Sequence, residues 1–196
     1  MVRGARLGVD VGSVRVGLAS SDPDGLIATP VETVPRDKGR VAHGALPTDV
    51  TRIVDEVCER GAAVVYVGLP RHLSGSEGAS SAAARAYAVT LAQAIAPVSV
   101  WLVDERLSTV TAHQVLHASG MSGRRHRTVV DQAAAVVILQ AALDAERVTG
   151  QRSGELVAVD HDVPGGREGT GGAHDETRRH DTVGNPHDRT EGRPDE

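Results

Sequence analysis

Three apolar residues at a spacing of two, Leu7, Val9 and Val11, alternate near the start of the chain with Gly8, Asp10 and Gly12. Successive side chains of a strand point to opposite faces, so this pattern predicts a first strand over 5–11. Gly12-Ser13 predicts a two-residue hairpin turn with glycine first. Val14, Val16 and Leu18 then alternate with Arg15, Gly17 and Ala19 in a second strand. Asp22-Pro23-Asp24-Gly25 is a turn signal, and a third strand is expected from Leu26 to Val34. Pro30 has no amide donor, which assigns that strand to a sheet edge. The opening thus reads as an antiparallel three-strand meander.

The period then changes. After a polar connection, Thr48 is expected to cap a helix running to about Arg60, with Val50, Ile53, Val54, Val57 and Cys58 on one face and Gly61 as its stop. Residues 62–69 are a continuous apolar run, the mark of a strand covered on both faces. A loop over 70–78 leads into an alanine-rich helix whose apolar face carries Tyr87, Leu91, Ala94 and Ile95. Pro97 ends it, and 98–103 is a fifth strand. A helix from about Thr109 to Ala118, a basic loop over 120–127 and a final helix from Thr128 to about Thr149 complete the pattern. Right-handed crossovers make the two later strands parallel to the first. The expected fold class is α/β, a mixed five-stranded sheet flanked by helices, with ligands beyond the carboxyl ends of its strands.

Composition divides the chain. Residues 152–196 hold 11 of the acidic residues and 6 of the basic ones, so they carry the whole net charge of −5 and leave 1–151 neutral. All three aromatic residues, Tyr66, Tyr87 and Trp101, lie in the first part. The last 45 residues contain eight glycines and few large apolar side chains, too few to offset ordering entropy. The expected organisation is one domain over 1–151 and a disordered acidic, glycine-rich tail over 152–196. The single cysteine, Cys58, lies in an apolar helical pattern and is expected to be a free buried thiol in a reducing compartment. With no signal pattern and no membrane-length apolar run, a cytoplasmic location and no membrane partner are expected.

Three acidic positions carry candidate chemistry. Asp10 sits on an apolar strand where it is costly to bury unpaired, and Gly8 and Gly12 beside it leave clearance for a ligand or another backbone. Asp104-Glu105 directly follows the fifth strand; adjacent residues point oppositely, and without the register parity does not choose between them. Asp131 stands on the apolar side of the final helix, above Ala134, Ala135 and Ile138, although Thr128-Val129-Val130-Asp131 also matches a capping box. Carboxylates converging on one crevice repel one another unless a cation joins them, and Mg²⁺ or Mn²⁺ suits oxygen ligands. Two such ions can activate water and stabilise a leaving oxygen in phosphodiester hydrolysis. His113 and His117 are one turn apart but lack the glutamate of a zinc-protease motif, and no Walker A sequence is present.

Gly8-Val9-Asp10-Val11-Gly12 with Arg15-Val16-Gly17, and Val67-Gly68-Leu69-Pro70 with Gly75-Ser76-Glu77-Gly78, resemble the YqgF/RuvX family. Asp104-Glu105-Arg106-Leu107-Ser108-Thr109 and Val130-Asp131-Gln132-Ala133-Ala134 resemble it too, and the four ordered motifs span roughly 5–148. Members are described as pre-16S rRNA nucleases or as Holliday-junction-resolvase-like proteins. The resemblance implies a ribonuclease-H-like fold and a metal-dependent nuclease with Asp10, Glu105 and Asp131 as catalytic ligands of two metal ions, and it favours Glu105 over Asp104. Ala79 stands where many relatives carry proline, and the acidic tail is no part of the family pattern.

Arg124, Arg125 and Arg127, with His126 among them, form a basic cluster suited to holding phosphates, and Arg71, His72 and Arg106 are further candidates near the strand ends. The partner expected is nucleic acid: pre-rRNA or a small ribosomal subunit precursor, with branched DNA as the alternative, bound by a monomer or homodimer. Two other classes are an actin-like nucleotide-binding module, for which about 150 residues are too few, and a ribosome-assembly factor without catalysis.

Overall fold

Arg6–Val11 forms β1, and the alternation that predicts it divides its side chains between two layers: Leu7 and Val9 are buried in one apolar cluster, while Gly8 backs onto a helix on the other side. The computed structural model describes residues 3–39, 42, 44–71, 77–105 and 124–159, the stretch 124–132 by its backbone alone. The chain divides into two units, Met1–Asp160 and His161–Glu196, and all described residues belong to the first.

In chain order the elements are β1, β2 (Arg15–Ser21), β3 (Ala28–Pro35), α1 (Thr48–Arg60), β4 (Val64–Leu69), α2 (Ala79–Ile95), β5 (Ser99–Asp104), α3 (Arg124–Thr149) and β6 (Glu155–Leu156). They build one sheet in the order β3-β2-β1-β4-β5-β6. β1 pairs antiparallel with β2 and parallel with β4, and β5 pairs parallel with β4. β3 is the edge strand that Pro30 requires, with a bulge where its register to β2 shifts at Leu18/Ala19. One apolar layer joins Leu7, Val9, Val65, Val67, Val100 and Leu102 to α1 and α2. The other joins Val64, Tyr66 and Val103 to Ala135, Leu139 and Leu143 of α3. The sheet is therefore covered on both faces, which explains why β4 is apolar at every position but Gly68.

Several expectations are corrected. The sheet has six strands, not five. The sixth comes from the stretch assigned to the tail: Leu156 pairs with Trp101, and the neighbouring Val157 is buried and donates its amide to Val100 O at 2.9 Å. Two paired residues are too short a run to leave a period in the sequence. The β1–β2 turn is longer than two residues, because Val11 pairs with Val16 and leaves Val14 72% exposed beyond the sheet. β3 starts at Ala28 rather than Leu26, since Asp22 Oδ1 accepts the amides of Leu26 and Ile27 and holds them in the turn. Thr48 is not the cap of α1 but its first residue; Asp37 Oδ2 accepts its amide and hydroxyl, each at 3.0 Å. Gly61 does stop α1, at φ +56°. Cys58 is exposed, whereas Glu56 on the other flank of the helix is buried and held between Arg52 and Arg60. The expected helix over 109–118 lies outside the described residues, as do 160–196.

Candidate active site

The strand register gathers the site. Val9 stands opposite Val67, so the next pair along the parallel strands is Asp10 beside Gly68; Gly68 in turn stands opposite Val103, and Leu69 opposite Asp104. Val103 packs in the α3 layer. Alternation then turns Asp104 toward the α1/α2 face, and Glu105, the residue after β5, back toward the α3 face that Gly8, Asp10 and Gly68 share. Two contacts agree. Asp104 Oδ2 lies 3.9 Å from Arg71 Nε, and Glu105 Oε1 lies 2.9 Å from where a Cβ on Gly68 would stand. Parity without register left the choice open; with it, Glu105 is the partner of Asp10 on the α3 face.

The electrostatics follow from that placement. Burial pushes the Glu105 carboxyl up to about 7, and the nearby charges of Asp10 and Asp104 push it the same way. A carboxyl pushed up by burial beside two acidic neighbours makes a set of hard oxygen donors whose repulsion a divalent cation relieves. These residues therefore fit such an ion. Among the described residues no three histidine, cysteine, aspartate or glutamate side chains are placed to hold a metal ion together, the side chain of Asp131 lying outside them.

The backbone position of Asp131 is described. α3 runs antiparallel to β1: Glu146 lies beside Arg6, and Leu139 and Ala135 lie over Gly8. Position 131 is one helical turn before Ala135, toward the Asp10 end of the strand. The helix begins at Arg124, four residues earlier than expected. Thr128 is consequently a helical position rather than its cap, which removes the capping-box reading of Thr128 and Asp131. Arg124, Arg125 and Arg127 stand in the opening turn of α3 and not in a loop. Arg71 follows β4 and pairs with Glu77 at 3.2 Å. Arg106, His72, His113 and His117 lie outside the described residues.

Of the two uses expected for the clearance at Gly8 and Gly12, a ligand or another backbone, the structure shows the second: both spaces are filled by protein. A Cβ on Gly8 would stand 2.7 Å from Leu139 Cβ and 2.9 Å from Ala135 O, and one on Gly12 would stand 2.7 Å from Arg15 O. Gly8 lets α3 approach the sheet and Gly12 closes the hairpin. The glycine that makes room at the carboxylates is Gly68, whose only sequence signal was its place in a short motif.

A family model described as RuvX, Holliday junction resolvase, matches residues 4–145. A protein of Streptomyces coelicolor named "Putative pre-16S rRNA nuclease" is 53% identical over 159 residues, covering 81% of this chain and 91% of that protein. A Kineococcus radiotolerans protein of the same name is 55% identical over 155 residues, covering 79% of each. Among solved structures, one titled "T. thermophilus RuvC in complex with Holliday junction substrate" aligns with a TM-score of 0.53 at 14% identity, covering 76% of this chain and 98% of that one. That likeness is one of fold, and it agrees with the ribonuclease-H-like order of strands. The matched residues 4–145 take in β1 through β5 and most of α3, and by that match the chain belongs to the RuvX family.

Proposed function

We propose that this protein is a metal-dependent endonuclease that hydrolyses phosphodiesters, acting at the 5′ end of pre-16S rRNA. The observation that carries the reading is that Asp10 and the half-buried Glu105 share the α3 face of the sheet, with the Glu105 carboxyl pushed up to about 7. The names of relatives at 53% and 55% identity support the RNA substrate. Asp10, Glu105 and Asp131 are the residues that would hold Mg²⁺ or Mn²⁺, as two ions. When bound, such ions supply an activated water and stabilise the leaving oxygen. The chain's own residues do the rest. Asp10 is fixed by the register of β1, Glu105 stands on the same face and would be ionised with a cation bound, and Arg71, Arg106, Arg124, Arg125 and Arg127 orient substrate phosphates.

The test is cleavage of a pre-16S rRNA fragment by the purified chain with Mg²⁺ or Mn²⁺, beside Asp10→Asn. Loss of cleavage in the variant is expected, and full activity in it overturns the assignment. The family description favours a second reading, resolution of a four-way DNA junction. Kinetics on both substrates under one set of conditions separate the two. A monomer suffices for trimming RNA, whereas two symmetric cuts in a junction call for a homodimer. No described helix is long and apolar enough to cross a membrane, and a pre-rRNA substrate sets the work in the cytoplasm.

A further inference from the structure

A chain of charges runs from the C-terminal strand to the edge of the candidate site, and the reaction proposed above does not use its central member. Arg71 Nη2 donates to Glu77 Oε1 at 3.2 Å. Glu77 is gripped by Arg85 from the second turn of α2, Nε to Oε2 at 2.8 Å and Nη2 to Oε1 at 2.7 Å. The other edge of the same guanidinium holds Glu155 of β6, Nη1 to Oε1 at 2.7 Å and Nη2 to Oε2 at 2.8 Å. One planar cation therefore makes two forks with two carboxylates from distant parts of the chain.

Isolated exposed ion pairs contribute little, because each fixes two long side chains for one contact. Here Arg85 is fixed once for both partners. The hydrogen bonds to Glu77 and Glu155 raise the Arg85 pKa, and those from Arg85 lower both carboxylates. At the far end, Arg71 Nε is buried, makes no hydrogen bond and lies 3.9 Å from Asp104 Oδ2, beside Glu105. Nε is thus turned inward, and the part of the Arg71 side chain that is exposed, 30% of it, is steadied by Glu77 and is what can meet a phosphate oxygen. At the near end, Glu155 stands opposite Leu102 of β5. The residue before it, Gly154, adopts φ +98° with its Cα so close to Leu102 O that a Cβ would lie 2.1 Å away, and only glycine allows that entry.

We propose that Arg85 is a positioning residue that couples strand β6, through Glu155 and Glu77, to the phosphate contact at Arg71. Nucleic-acid affinity then depends on a segment outside the family match, while the chemical step does not. This inference rests on the reading of Arg71 as a phosphate contact.

The experiment uses the full chain as wild type, Arg71→Ala, Arg85→Ala and the double variant. It measures the affinity of a labelled pre-rRNA fragment by anisotropy across salt concentrations, cleavage kinetics, and amide hydrogen exchange without RNA. Arg85→Ala is expected to weaken binding about three- to tenfold and to raise KM with kcat unchanged. It should add less than about twofold on top of Arg71→Ala. Exchange at the Val157 amide should accelerate while that at Val9 does not. The same full weakening in the Arg71→Ala background, a fall in kcat at constant KM, or unaltered Val157 exchange overturns the proposal, as does absence of RNA binding by the wild type. A wild type that binds RNA without cleaving it defeats the nuclease reading instead, and the affinity comparison still decides this one.

Discussion

Gly68 leaves the space into which the Glu105 carboxylate leans. A Cβ at that position would stand 2.9 Å from Glu105 Oε1 and 2.6 Å from Ile138 Cδ1. Both contacts are the tips of flexible side chains, so the fold can absorb a methyl group by moving them. Gly68→Ala should therefore cost little stability, about 1 kcal/mol or less. It should nonetheless displace Glu105 relative to Asp10 and lower kcat/KM by about 10- to 100-fold. Melting curves and cleavage kinetics on the same preparation check the split. A variant with normal activity would separate Glu105 from the chemistry.

The Glu105 carboxyl also makes a prediction about pH. Its folded pKa, about 7, lies above the ordinary glutamate value of 4.5 because of burial and the charges of Asp10 and Asp104. Between those values the folded state binds more protons than the unfolded one, so stability falls as pH rises from about 4.5 to about 7 and levels off above. Glu105→Gln removes that dependence. Without divalent ions it should be more stable than wild type at pH 8 and no more stable at pH 4.5. Added Mg²⁺ or Mn²⁺ should restore the wild type at pH 8 and leave the variant unmoved. Denaturant titrations at the two pH values, with and without metal, measure all four quantities.

Much of this arrangement was legible in residue order, and the exceptions have physical reasons. The alternation of Leu7, Val9 and Val11 and the apolar run of β4 reported a sheet covered on both sides, because periodicity records burial directly. The choice between Asp104 and Glu105 required the pairing of β4 with β5, which no local pattern contains. The burial of Arg6 and Glu146, at 5% and 4% exposure, leaves no sign in the sequence, because a charge is buried only when a distant partner is present. Asp37 caps α1 from eleven positions away, so a rule that looks for the cap next to the helix selected Thr48.

Gly8→Ala should behave in the opposite way to Gly68→Ala. The added methyl meets Leu139 Cβ at 2.7 Å and the backbone oxygen of Ala135 at 2.9 Å, neither of which moves without α3. Overpacking of this kind costs about 1–3 kcal/mol. The helix shift also carries the backbone at 131 away from Asp10, so activity should fall together with stability. A variant that keeps its melting temperature would mean that α3 has slack over β1 that these contacts do not suggest.

Far from the carboxylates, the C-terminal half of α3 is tied to the sheet by a buried charge cluster. Glu146 accepts from the Tyr66 hydroxyl and from Arg152 Nη1 at 2.6 Å, and its Oε2 lies 3.5 Å from Arg6 Nε. Arg6 Nη1 donates to Gly4 O and Pro23 O, so the guanidinium cannot swing out to water without breaking those bonds. Glu146→Ala leaves that cation buried and unpaired and should cost about 3–5 kcal/mol. Tyr66→Phe removes one donor from a carboxylate that retains Arg152, and about 1–2 kcal/mol is expected. If the penalty is the stranded charge, Arg6→Leu combined with Glu146→Leu should recover part of the loss, because an apolar pair needs no partner. Urea unfolding of the single and double variants distinguishes this from lost packing. Losses that simply add would show that Glu146 stabilises through its own contacts and not by neutralising Arg6.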